Sequence, residues 1–392
     1  MAGAAAAATI AGVVIIAAGT GATPGPTTTT AGPRALPMIH DKIPPTAPAV
    51  TTKRVCTDTV CAVNKVTDDR DIPWGFVPLP DGTVLYSRRG AHDIVLLNPS
   101  TGKKSTVGQV PNSYGTDWAL GLAVSPTFAT DRWLYVFHTT AVDSRIVRIK
   151  LTTANTLDAK SLRALVVGIP HSKVNNGGRL RFGPDGKLYA GTGDADHGSL
   201  AQNPQSLAGK VLRMNPDGGA PSDNPTRSYI WSLGHRNIEG LAFDAKGRLW
   251  AVDSGNGIAD ELNLIQKGGN YGWPYCEATV SRGRGGCATS GFLKPKYTWP
   301  AAQCTCGGLA VVGGAIYVAA GRDGWLWRLV IKGASVTHAT ALLQGRYGWL
   351  RTVEPSTDGG LWLTTSNGGE DDGVPHIIGN RIYRVALGLA AE

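Results

Sequence analysis

The sequence predicts an all-β fold, a six-bladed β-propeller of four-stranded antiparallel blades, on three observations. A turn followed by an aliphatic–aromatic pair recurs six times: PDGTVLY ending at Tyr86, TDRWLY at Tyr135, PDGKLY at Tyr189, AKGRLW at Trp250, GGAIY at Tyr317 and TDGGLW at Trp362. Behind each comes a further strand, usually ending apolar–Arg–apolar: IVLLN, IVRIK, VLRMN, ELNLI, LWRLV and IYRV. The 392 residues also hold 52 glycines, a count that favours turns over helices. Beyond the first two dozen residues, no long segment places apolar residues at helical spacing.

The Asp-Gly turns suit hairpins, because both residues tolerate positive φ at little cost. A four-stranded sheet of short strands cannot bury both faces alone, and radial stacking solves that while leaving few open edges. The repeat aromatics are spaced from 45 residues (Tyr317 to Trp362) to 67 (Trp250 to Tyr317), as expected of blades with insertions. A plain β-sandwich needs no six phased copies. Ligands of propellers sit at the end of the central channel, so functional residues are expected in the long stretches Tyr189 to Val211, Trp250 to Tyr317 and Trp362 to Arg381.

Three regions follow in chain order. Residues 1–24 read as a signal peptide or N-terminal anchor, with the apolar centre ATIAGVVIIAAG, small residues near Ala22, and no basic residue before Arg34. Residues 25–51 are a Pro/Thr-rich linker, and residues 52–392 form the propeller. This organisation places the protein outside the cytoplasm, secreted or at the cell surface, touching a membrane only through its N-terminal segment. The net charge of +9 is spread singly along strands, with no nucleic-acid motif. It fits a solvated basic surface or local sites for an anionic ligand, and not a nucleic-acid partner.

Six cysteines in an exported chain argue for disulfides. Cys56–Cys61 is the local pair. Cys276, Cys287, Cys304 and Cys306 allow three pairings, among which a Cys304–Cys306 bridge reads as strained. A four-cysteine zinc site is the alternative. His235 reads as a turn-packing residue, and GEDDG (Gly369–Gly373) as a solvated loop. Arg148, Arg213, Arg328 and Arg384 read as structural residues at blade ends, and the repeat aromatics as blade core.

Three linked stretches, SLAGKVLRMNPDG, YIWSLGHRNIEGLAFD and DELNLIQKGGNYGWP, resemble the soluble pyrroloquinoline-quinone (PQQ)-dependent sugar dehydrogenases, the glucose/sorbosone dehydrogenase family. The likeness runs from about Trp74 to Val385. It implies a six-bladed propeller holding Ca²⁺ and PQQ on its top face, a small sugar or cell-wall saccharide as ligand, and an electron acceptor where the site is active. It further implies that the backbone carbonyls of Gly255 and Asn256 ligate calcium, an oxygen donor set that the ion prefers. Arg236 and Asn237 fall on the cofactor-contacting pair, whose guanidinium suits carboxylates and quinone oxygens. Arg322 stands where the family commonly has a lysine, and Arg351 matches one of two cofactor-binding arginines. Trp349 replaces the other, with Arg346 near in sequence, and Thr116 replaces a glutamine.

The base is the sharpest departure. The family's histidine stands four residues before the arginine of the GGR motif, and counting back from Arg179 gives Asn175. The carboxylate that orients that histidine is kept as Asp194. An imidazole receives an alcohol proton at neutral pH and an amide does not. The chain therefore reads as a sugar dehydrogenase-like propeller with an eroded active site that binds a ligand with little or no turnover. The alternatives are an active enzyme with Asp194 or Asp260 as substitute base, His171 being a more distant candidate, and a calcium-dependent lactonase-type propeller.

Overall fold

The computed structural model describes residues 59–114, 121–283, 287, 291–301, 303–367 and 379–388. They belong to one unit, His40–Glu392. The expected leader and linker, Cys56, Thr116 and the GEDDG loop lie outside the described residues. Among those described, no helix is long and apolar enough to cross a membrane.

The chain forms six four-stranded antiparallel sheets. Blade one comprises Pro73–Pro78, Val84–Arg88, Asp93–Leu97 and Lys104–Gln109. Blade two comprises Gly121–Val124, Trp133–Thr139, Ser144–Leu151 and Leu157–Ile169, and blade three Gly177–Phe182, Leu188–Thr192, Lys210–Met214 and Ile230–Leu233. Blade four is built from Ile238–Phe243, Leu249–Asp253, Ala259–Ile265 and Tyr297–Pro300, and blade five from Cys306–Val312, Ala315–Ala320, Leu326–Lys332 and Ser335–Leu342. Blade six takes Leu350–Pro355, Leu361–Thr365 and Asn380–Leu387 from the end of the chain, and its outer strand, Val60–Asp69, from before blade one. That pairing closes the ring with backbone hydrogen bonds between the two ends of the domain.

Each of the six sequence repeats opens the second strand of a blade, and its aromatic is buried: Tyr86, Tyr135, Tyr189, Trp250, Tyr317 and Trp362. The recurring arginines sit on the third strand directly opposite these rings, as Tyr135 with Arg148, Tyr189 with Arg213, Tyr317 with Arg328 and Trp362 with Arg384. The Arg384 guanidinium lies 4.5 Å from the Trp362 ring centre, and Arg148 lies 4.4 Å from Trp133. Cross-strand pairing of a ring with a cation is a repeated packing unit. It accounts for the pattern in four of the six blades, while Tyr86 faces Val95 and Trp250 faces Leu264 in the other two.

The innermost strands pack successively around the channel, blade six against blade one. They come so close that a side chain at Gly121 would place its Cβ 1.7 Å from the Gly178 carbonyl oxygen. Arg179 crosses this channel. It donates Nε to the Glu239 carbonyl at 2.5 Å, NH1 to the Trp74 carbonyl at 2.8 Å and NH2 to Thr352 Oγ1 at 3.0 Å, with Trp74 stacked 3.8 Å from its guanidinium carbon. One side chain thus joins blades one, three, four and six. Burial pulls its pKa down to about 10, so it stays charged at neutral pH.

The cysteines correct the sequence reading. Cys276 is bonded to Cys287 and Cys304 to Cys306, so the zinc alternative is overturned. The Cα separations, 5.1 and 4.7 Å, lie within the ordinary disulfide range. The Cys304–Cys306 pairing follows from Thr305, whose φ of 47° turns the backbone between them. Cys61 is also disulfide-bonded.

Candidate cofactor and active site

The channel mouth is formed where innermost strands begin and second strands end. Blade three supplies Asn175, just before Gly177–Phe182, and Asp194, just after Leu188–Thr192. The two loops meet tightly: Asn175 has φ 57°, its carbonyl accepts from the Ala195 N–H at 3.0 Å, and a Cβ on Gly193 would fall 1.8 Å from that carbonyl oxygen. Gly193 is therefore required for the approach. Across the junction, Asn175 Nδ2 donates to Asp194 Oδ1 at 3.1 Å. Asp194 Oδ1 also accepts from the Asp196 N–H at 2.9 Å, and Oδ2 from Trp273 Nε1 at 2.8 Å. Burial raises the pKa of Asp194 above the usual carboxylate value, and the bond from Trp273 works against that rise. Both of its oxygens are engaged.

Trp273 lies between two cations, with Arg236 5.6 Å and Arg282 5.2 Å from its ring centre. Arg236 begins the approach to blade four. Its NH1 donates to the Gly255 carbonyl at 2.6 Å and to the Ser254 carbonyl at 3.1 Å. Arg282 NH1 donates to the Asn256 carbonyl at 2.8 Å. The loop presenting these carbonyls is held from behind by carboxylates. Glu277 Oε1 accepts from the N–H groups of Asn256, Ile258 and Ala259, its other oxygen pairs with Arg282, and Asp260 Oδ1 accepts from the Gly255 N–H at 2.7 Å. Asp260 Oδ2 accepts from the Cys306 N–H at 3.2 Å, and burial lifts its pKa to about 6. Like Asp194, it accepts a hydrogen bond on each oxygen. Glu261 is buried beside Asp253 and Glu277, and burial pushes it up to about 8.

Asn237 ties this loop to the channel. Its N–H donates to Asp253 Oδ1 at 2.7 Å, its Oδ1 accepts from the Gly177 N–H at 2.9 Å, and its Nδ2 donates to Glu239 Oε1 at 2.8 Å. Arg351, at the start of blade six, stands 3.9 Å from Glu239 Oε2. Trp349 donates its N–H to Asn367 Oδ1 at 2.7 Å, and its ring would lie 3.4 Å from a Cβ on Gly321. Arg322 follows that glycine and is exposed. His235 is wholly buried between Asp253 and Ser232, stacked 4.6 Å from Tyr271, and so packs the turn.

The structure therefore brings Asn175, Asp194, Arg236, Gly255 and Asn256 into one bonded patch around Trp273, and joins Asn237 to Arg351 through Glu239. Asp260 belongs to the same patch as a loop anchor. Sequence reasoning missed Trp273, Glu239, Glu277 and Arg282. The first two stand inside the quoted GWP and RNIEG motifs, and their partners come from other blades.

The fit to a metal and an anionic cofactor rests on the donor chemistry. Gly255 and Asn256 present carbonyl oxygens that each already draw a guanidinium, which marks a spot favouring positive charge, and a carbonyl oxygen has a second lone pair to offer. Both residues fit a hard cation. Arg236 and Arg351 at the same mouth fit carboxylates and quinone oxygens.

Residues 70–374 match the family model described as glucose/sorbosone dehydrogenase. Among solved structures, the chain is similar to the PQQ-bound aldose sugar dehydrogenase of Streptomyces coelicolor, at 39% identity over 83% of this chain and 97% of that one, with a TM-score of 0.76. Quinoprotein glucose dehydrogenase B of Acinetobacter calcoaceticus is 34% identical over 237 residues, 51% of this chain and 49% of that protein. Aldose sugar dehydrogenase YliI of Escherichia coli is 27% identical over 340 residues, 79% of this chain and 91% of that protein. The chain spans about half the length of the first curated relatives it matches. With most of its length matched by the family model, and by a propeller neighbour over nearly the whole of that neighbour, the chain belongs to the glucose/sorbosone dehydrogenase family.

Proposed function

We infer that this protein is an exported propeller that binds PQQ and Ca²⁺ at the channel mouth and receives a sugar there, with little or no turnover. One observation carries the reading. Asn175 occupies the expected place of the base and makes the expected bond to Asp194, but it does so by donating from an amide. An amide nitrogen of this kind has no lone pair for a proton, so the alcohol proton of a sugar finds no acceptor there. The two carboxylates that stood as substitutes, Asp194 and Asp260, each accept hydrogen bonds on both oxygens. In this reading the bonds give both carboxylates a positioning role.

In this reading the carbonyls of Gly255 and Asn256 hold calcium, and Arg236, Asn237, Arg322, Arg351 and Trp349 surround the cofactor. Bound PQQ would supply the hydride acceptor. The residues of the chain supply its orientation: Arg236 by charge, Trp273 by fixing Asp194, and Asn237 by bracing the loop before Gly177. A lactonase centre finds less support. Among the described residues, the one group that gathers three His, Cys, Asp or Glu side chains is Asp260 with Cys304 and Cys306, and those sulfurs are bonded to each other. Export is supported by the N-terminal apolar stretch and by the disulfides.

Titration of the full chain with PQQ in the presence of Ca²⁺, followed by quenching of tryptophan fluorescence, is expected to give a micromolar Kd. Arg236→Ala removes a charge-assisted contact of about 1.5–3 kcal/mol, so its Kd is expected to rise about 10-fold to 100-fold. No binding by the unaltered protein, or equal binding by the variant, would count against this site.

A further inference from the structure

Among the described residues, the mouth of the channel holds one carboxylate to which the reading above gives no task. Glu239 lies on the innermost strand of blade four, and its Oε1 accepts from Asn237 Nδ2 at 2.8 Å. Its Oε2 is buried, and no hydrogen bond from the described residues reaches it. Arg351 NH1 stands 3.9 Å away, close enough to attract and too far to donate. An oxygen left in that state is costly. Yet the side chains of Glu239 and Arg351 remain 14% and 17% exposed, so both border the mouth.

The neighbouring carboxylates differ. Asp194, Asp253, Asp260, Glu261 and Glu277 each have donors on both oxygens. The position of Glu239 is also fixed, because Arg179 holds its carbonyl from within the channel and Asn237 holds the other carboxylate oxygen. A charged acceptor without a donor, set beside a cation, is complementary to an edge that carries a donor next to an anion.

We propose that Glu239 is a specificity-determining residue: its Oε2 receives a ring N–H of the bound ligand while Arg351 takes the carboxylate beside that N–H. The ligand class is a heteroaromatic carboxylate of the pyrrole-2-carboxylate type, an edge that PQQ carries. The proposal rests on the PQQ reading and deepens it.

Two small probes separate this role from simple charge attraction: pyrrole-2-carboxylate, and furan-2-carboxylate, which has an oxygen acceptor in place of the N–H. By saturation-transfer NMR on the full chain, the pyrrole is expected to bind at least about 10-fold more tightly, the worth of one charge-assisted hydrogen bond. Glu239→Ala is expected to abolish that preference and to weaken PQQ binding by a similar factor. Glu239→Gln keeps the shape, serves if the alanine variant does not fold, and is expected to reduce the preference at least threefold.

Equal binding of the two probes, binding of neither, or unchanged or tighter PQQ binding by Glu239→Ala would overturn the proposal. A protein that prefers the pyrrole and fails to bind PQQ would remove the cofactor reading and leave the role of Glu239 standing. A protein that binds PQQ without the pyrrole preference would do the reverse.

Discussion

Asn175→His is expected to raise aldose oxidation by the PQQ-loaded protein about 10²-fold to 10⁴-fold, the range that a positioned general base contributes. The surroundings for such a base are already in place. Asp194 faces position 175 at hydrogen-bonding distance, and its own orientation is fixed by Trp273 and by the Asp196 N–H. A histidine there would donate one ring N–H to Asp194 and turn the other nitrogen to the mouth, which is how a carboxylate sets the tautomer of an imidazole. Only the neutral ring accepts a proton. The recovered activity should therefore rise with pH through the titration of the imidazole, from a reference near 6.5 that the neighbouring carboxylate shifts upward. An imidazole is larger than the amide it replaces, and position 175 is half-buried with positive φ, a conformation that histidine tolerates better than most residues. If PQQ binding is intact and no activity appears, a second part of the site has diverged.

The other large effect is on stability. Arg179→Met is expected to destabilise the domain by about 3–5 kcal/mol, because it strips donors from the Glu239 carbonyl, the Trp74 carbonyl and Thr352 Oγ1 in a channel where their replacement is restricted. It also removes the cation stacked on Trp74. For a domain of this size the midpoint of thermal unfolding should fall by roughly 5 °C. Arg179→Lys keeps the charge and loses the planar fork, so it should fall between the two. A Tm unchanged by Arg179→Met would mean that ring closure rests on the Val60–Asp69 strand and the blade cores alone. The double glycine before Arg179 thus serves two ends: it lets the loop of Asn175 turn toward Asp194, and it sends the arginine into the channel.

The fold was legible because each blade repeats a local rule. The turn, the ring of Tyr135 and the guanidinium of Arg148 lie within one hairpin, so their relation survives in the sequence as spacing. Asn175 and Asp194 were legible through the family resemblance, by their places against the GGR and GTGD motifs, and the single hairpin between them brings them together. Glu239 was not, because its meaning depends on Arg351, a residue more than a hundred positions away that the ring brings back to it. Trp273 likewise gains its role only when blade four places its indole against the Asp194 loop of blade three. The outer strand Val60–Asp69 escaped notice because half-exposed residues such as Lys65 and Thr67 give it no apolar alternation, and its partner lies at the other end of the chain. The Cys304–Cys306 bridge turned on the φ of one residue, Thr305, which composition does not reveal.

The central claim is that the site keeps its ligand contacts and has lost its proton acceptor. The most direct measurement is to load the protein with PQQ and Ca²⁺, mix it with an aldose without any external electron acceptor, and follow the cofactor absorbance. The expected result is a bound cofactor that stays oxidised in the unaltered protein and becomes reduced in Asn175→His. Sugar-dependent reduction in the unaltered protein, as fast as in the variant, would contradict the account and return the role of base to a carboxylate at the mouth.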